Sequence, residues 1–157
     1  MKFQDFICFD AIVPRLESGD RDGVIGELVA ALEQCGNLSE SESKQVRRAL
    51  IKRENEASTG MGKGVAIPHV KHKSVDRVIG AVGQSAIGID FAALDKQPVY
   101  SVILLVSPVG DSEQHLKAME KVFKHLQQEK FRKFLRQSET VEEIKDLLME
   151  ADERAFV

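Results

Sequence analysis

Apolar positions in the first third of the chain fall at helical spacing. Val24, Ile25, Leu28, Val29 and Leu32 form one stripe, and Gly36 is placed to close that helix. Ser39 and Glu42 have the spacing of a capping box, which predicts a second helix whose apolar face runs through Val46, Ala49 and Leu50 toward Arg53. The pattern then changes period. β-Branched stretches at 78–82 and 99–106 predict strands, and the nearly continuous apolar end of the second, VYSVILLV, predicts a central place in a sheet. After Ser107-Pro108 the helical period returns, with Leu116, Met119, Phe123 and Leu126 expected on one face of a helix capped by Asp111 or Ser112. Phe131, Phe134 and Leu135 predict a short helix. Thr140 and Glu143 form a further capping box, opening a last helix with Val141, Ile144, Leu147 and Leu148 toward the core. Helices, then strands, then helices predict a mixed sheet covered by helices on both faces.

At 157 residues, 43% hydrophobic and 30% charged, the chain is expected to form one domain over 1–157, with 151–157 as a mobile tail. The net charge of -3 gives no basic footprint, so no nucleic-acid partner is expected. No apolar run reaches the roughly 20 residues needed to cross a bilayer, and MKFQDFICFDAIVP lacks the basic and apolar regions of an export signal. The reading is a cytoplasmic protein without membrane insertion. Cys8 and Cys35 form no CxxC pair and read as reduced thiols acting as small buried hydrophobes.

Chemistry concentrates in Ser58-Thr59-Gly60-Met61-Gly62-Lys63-Gly64, followed by Val65-Ala66-Ile67 and Pro68-His69. Pro68 biases Ile67 to an extended conformation, which predicts a strand or extended segment with His69 at its tip. The glycine loop fails the Walker spacing, because Ala57 stands where glycine is required and Gly64 follows Lys63. It fails the dinucleotide spacing because Val65 replaces the third glycine. What remains is a turn with positive φ, with or without a ligand against its backbone. His69 and His72 have an HxxH spacing but no third ligand, so no metal site is expected. His72 and His125 read as solvated surface histidines. His69 reads either as a structural histidine or as a functional one. His115 lies in the first turn of its helix, where the dipole disfavours an imidazolium and favours a nearby anion.

The run RENEASTGMGKGVAIPH, from Arg53 to His69, resembles the active-site segment of the fructose/mannitol-type enzyme IIA proteins of the phosphoenolpyruvate:sugar phosphotransferase system. Glu54, Met61, Gly62, Val65, Ala66, Ile67, Pro68 and His69 meet the constrained positions. Val70 departs from them, since the family usually has a small residue there. The resemblance extends to Ile87-Gly88-Ile89-Asp90-Phe91, Leu94-Asp95, the strand ending at Pro108, and His115-Leu116.

This resemblance implies an α+β fold, a three-layer α/β/α sandwich with a central mixed sheet. It implies a phosphocarrier that accepts a phosphoryl group on His69 from the phosphocarrier protein HPr, helped by His115 and Arg53, with no cofactor. Thr59 and the backbone around Gly60, Gly62 and Gly64 are expected to bind the phosphoryl group, and Met61 and Val70 to border the docking surface. The downstream partner is expected to be a regulatory target, as for the stand-alone nitrogen-regulatory enzyme IIA, because the chain carries no IIB or membrane segment. The alternatives are transfer to an enzyme IIB of a sugar permease, and a protein-binding module that keeps the fold without phosphotransfer.

Overall fold

The computed structural model describes residues 1–153. A short 3-10 turn, Phe3–Asp5, leads into β1 (Ile7–Val13), α1 (Arg21–Gln34) and α2 (Glu40–Glu56). Next come β2 (Gly60–Gly62), β3 (Val65–Ala66), β4 (His69–Lys71), β5 (Ile79–Ile89) and β6 (Val99–Ser107). The chain ends in α3 (Ser112–Leu126), α4 (Glu129–Gln137) and α5 (Val141–Glu153).

The strand order is β1-β5-β6-β3-β2, with β4 also on β6. β1 runs parallel to β5, β5 antiparallel to β6, and β3 and β4 both parallel to β6, so the sheet is mixed and β6 is central. Every residue of β6 except Tyr100 is buried, as the apolar run requires. One face packs against α1 and α2 through Leu28, Leu32, Val46 and Leu50; the other packs against α3, α4 and α5 through Val122, Phe131, Leu135 and Leu148. This is the α/β/α sandwich expected from the sequence.

The capping signals act as read. Ser39 and Glu42 complete a reciprocal box and Asp111 accepts the Gln114 N–H, while Asp20, a cap the sequence reading did not single out, accepts the Gly23 N–H. The Thr140 hydroxyl accepts the Glu143 N–H at 3.1 Å. Gly36 closes α1 with φ 80°.

Several expectations are corrected. β1 went unread in the sequence, and β5 continues seven residues beyond position 82. On α3 the buried face is Ala118, Val122, His125 and Leu126, whereas Leu116 and Phe123 are exposed. α3 carries two apolar stripes, and the one with small residues lets the helix approach the sheet. His125, expected at the surface, is buried at 5% exposure against the rings of Phe3 and Phe131. Val141, expected to face the core, is exposed. The tail expected over 151–157 is helical in its first three residues: Ala151 is buried, and Asp152 accepts the backbone N–H groups of Phe3 and Gln4. The rest of that expectation, 154–157, lies outside the described residues.

Candidate functional site

Two short strands, rather than one, bring His69 to its place. β3 ends at Ala66, and β4 begins at His69; both lie along β6, with Val65 opposite Ser101 and His69 opposite Leu105. Pro68 has no N–H for the ladder, yet its carbonyl still accepts from Leu105 at 2.9 Å. The backbone between them holds the Ile67 carbonyl 2.7 Å from Nδ1 of His69. A carbonyl only accepts, so Nδ1 carries the proton and Nε2 carries the lone pair.

β4 also places Lys71 opposite Ser107, at the end of β6. The Ser107 hydroxyl lies 2.6 Å from Nδ1 of His115, in the first turn of α3, and the His115 and His69 rings are 5.7 Å apart between centroids. Burial, then the nearby His69 and Lys71, hold the His115 imidazole below its ordinary value of 6.5, so it is neutral at pH 7. Lys71 Nζ donates to Ser112 Oγ at 3.3 Å, placing a cation near the His115 ring. Sequence reasoning missed Lys71 and the role of Ser107, because both follow from strand register.

Arg53, in the last turn of α2, donates one guanidinium N–H to the Ala57 carbonyl at 2.9 Å. It borders a depression of about 210 Å³ shared with His69, Thr59, Gly60 and Met61. Leu94, Met119 and Phe123 supply its apolar rim. Leu94 is 82% exposed, and Leu116, next to Met119 and Phe123 on the α3 surface, 61%. Met119 and Phe123, from the apolar stripe read on α3, therefore border the His69 depression.

The glycine loop behaves differently from its expected role. Glu54, 3% exposed, accepts both the N–H and the hydroxyl of Thr59, so that hydroxyl's proton is already directed at a carboxylate. The Gly60 N–H goes to Ser58 Oγ at 2.9 Å, and the residue must be glycine because an added Cβ would stand 2.8 Å from that of Ala93. Gly62 and Gly64, both with positive φ, turn the β2–β3 hairpin against Asp95 and Tyr100 and do not line the depression. Met61 does line it, half-buried. Val70 instead packs against the α1/α2 cluster, on the opposite sheet face from His69, as strand alternation requires.

Residues 6–151 match the family described as phosphoenolpyruvate-dependent sugar phosphotransferase system, EIIA 2. The chain belongs to this EIIA family. It is 33% identical over 152 residues to the fructose-specific EIIABC component of the phosphotransferase system of Bacillus subtilis, covering 97% of this chain and 24% of that protein. It is 32% identical to a nitrogen regulatory protein of Bradyrhizobium diazoefficiens, covering 94% of this chain and 95% of that one. The crystal structure of nitrogen regulatory protein IIA-Ntr from Neisseria meningitidis superposes with a TM-score of 0.82 at 29% identity, covering 92% of this chain and 97% of that one. The EIIA chain thus spans about a quarter of one relative and nearly all of another. Among its described residues no helix is long and apolar enough to cross a membrane.

Proposed function

We propose that this EIIA chain is a cytoplasmic phosphocarrier whose His69 Nε2 accepts a phosphoryl group from an HPr-like phosphocarrier protein. The observation that carries the reading is the 2.7 Å hydrogen bond between His69 Nδ1 and the Ile67 carbonyl, which leaves Nε2 as the nucleophile. In the transfer, the Nε2 lone pair forms the new N–P bond while the N–P bond to the donor's histidine breaks, its electron pair returning to the donor imidazole. The Nδ1 proton stays on His69. The carbonyl stabilises the positive charge that the ring gains.

Phosphoryl transfer needs in-line placement and stabilisation of the equatorial oxygens. Arg53 offers the guanidinium N–H groups not directed at Ala57, and Lys71 offers a second cation. The Ser107 hydroxyl is able to donate to Nδ1 of His115, and in that arrangement the Nε2–H of the neutral ring is the donor toward a phosphoryl oxygen. Thr59 and the loop acquire a supporting role, held in shape by Glu54 and bringing Gly60 close to the site. Transfer between proteins requires an exposed, apolar surround, and Leu94, Leu116, Met119 and Phe123 fit that requirement.

The regulatory use of the phosphoryl group is favoured by similarity over nearly the full length of a nitrogen regulatory protein. Transfer to an enzyme IIB is the second reading, favoured by similarity to a fructose-specific component. Incubation with phosphoenolpyruvate, enzyme I and HPr is expected to label His69 with acid-labile phosphate. Absence of label in the wild type, or label surviving in His69→Ala, contradicts the proposal.

A further inference from the structure

A second concavity, of about 460 Å³, opens where β3 and β6 begin, under α4. Strand register separates it from His69. Val65 pairs with Ser101 at this end and His69 with Leu105 further along β6, which is about 13 Å of strand. Among the described residues the lining brings together Lys63, Arg132, Lys133 and Arg136 with a single acid, Glu129. In a chain of net charge -3 this is a local inversion of sign. Among the described residues none of the four cations takes part in an ion pair.

The cations are arranged rather than scattered. Arg132 donates one guanidinium N–H to the Leu126 carbonyl at 2.8 Å, and Arg136 lies 3.7 Å over the Tyr100 ring. Both forks are thereby held with donors to spare. Lys63 stands at the tip of the β2–β3 turn with φ 59°, between two glycines, in a conformation that glycine would adopt more easily. A lysine there adds charge to the cleft at a conformational cost. Ser101, in the floor, adds a hydroxyl.

Convergent cations in a concave site focus the field and raise local anion concentration. Guanidinium forks match the oxygens of a phosphate better than a point charge does. Arg136 already covers the Tyr100 face, and among the described residues Val65 is the only large apolar one in the lining, so the cleft selects the anion rather than an aromatic or aliphatic body. The volume is that of a metabolite site. We propose that the α4 cleft binds a small, multiply charged organic phosphate, at a site separate from the phosphoryl-accepting His69.

The test is a titration of the full chain with inorganic pyrophosphate in 0.15 M salt, about physiological ionic strength, followed by amide NMR, with citrate as an anion that lacks phosphate. Saturable shifts confined to Lys63, Gly64, Ser101 and 129–137 are expected, with citrate weaker. Arg132→Gln or Arg136→Gln should weaken binding about tenfold, as for loss of one charge-assisted contact, while labelling of His69 from HPr is unchanged. Lys133→Gln, an exposed position, serves as the further variant should an arginine variant fail to fold. The absence of saturable shifts, shifts centred on His69 and His115, equal binding of citrate, or full binding in the folded variants would each overturn the proposal.

Discussion

The buried carboxylate of Glu54 receives both the backbone N–H and the side-chain hydroxyl of Thr59, five residues further along the chain. This contact ties the end of α2 to the loop that brings Gly60 into the His69 depression. Glu54→Ala leaves the Thr59 N–H unpaired inside the protein, a cost of about 1–3 kcal/mol. Chemical denaturation should read that loss, and labelling of His69 per folded molecule should slow with it. Glu54→Gln, whose amide oxygen still accepts the N–H, should restore most of both; equal loss in the two variants would place the effect in the charge instead.

The apolar rim gives a prediction that separates docking from stability. Leu116 and Phe123 are exposed, so Leu116→Asp and Phe123→Asp should leave the melting temperature nearly unchanged while slowing phosphorylation by HPr. Val70→Asp should do the opposite, because that side chain packs on the α1/α2 cluster. An unchanged rate in both rim variants would put the docking surface elsewhere.

His115→Ala is expected to accept phosphate and pass it on about ten- to hundredfold more slowly, the effect of losing a charge-assisted hydrogen bond. Arg53→Ala should slow acceptance as well as donation. Single-turnover rates of the two steps check both, and wild-type rates would remove these residues from the chemistry.

Stability should fall on mild acidification through two histidines. Burial pushes His125 below its ordinary 6.5, and burial with His69 and Lys71 does the same for His115. The unfolded chain then binds protons that the folded chain does not, so stability is complete above pH 6.5 and declines as pH falls below it. Denaturation midpoints measured between pH 7.5 and about 5.5, where carboxylates still contribute little, should show this slope. His125→Gln, which keeps a donor for the Lys121 carbonyl, should flatten it; an unaltered slope would assign the effect to other groups.

Much of the architecture was legible because it is written locally. The capping boxes at Ser39 and Thr140, the Asp111 cap and the apolar run of β6 are signals within a few residues of the elements they specify. β1 was not legible, since ICFDAIV alternates poorly and carries Asp10 at its exposed centre. β5 was cut short because Gln84 and Ser85 interrupt its apolar run yet are buried. For α3 the periodicity was real, but two stripes satisfied it, and only the packing distance to the sheet selects Ala118 and Val122. The site divides the same way. The Arg53–His69 spacing brought Arg53, Thr59, Gly60, Met61 and His69 together as expected, whereas Gly62, Gly64 and Val70 face elsewhere. Ser107 and Lys71 join through the pairing of β4 with β6, a relation between distant segments that no local pattern encodes.

The central claim is that His69 accepts phosphate through Nε2, because Nδ1 is held by the Ile67 carbonyl. The most direct measurement is NMR of the phosphorylated protein labelled with nitrogen-15 in its histidine rings, which identifies both the residue and the nitrogen that bears phosphorus. One phosphorylated ring is expected, His69, with phosphorus on Nε2 and the proton retained on Nδ1. Phosphorus on Nδ1 of His69, or on His72, His115 or His125, would contradict the account.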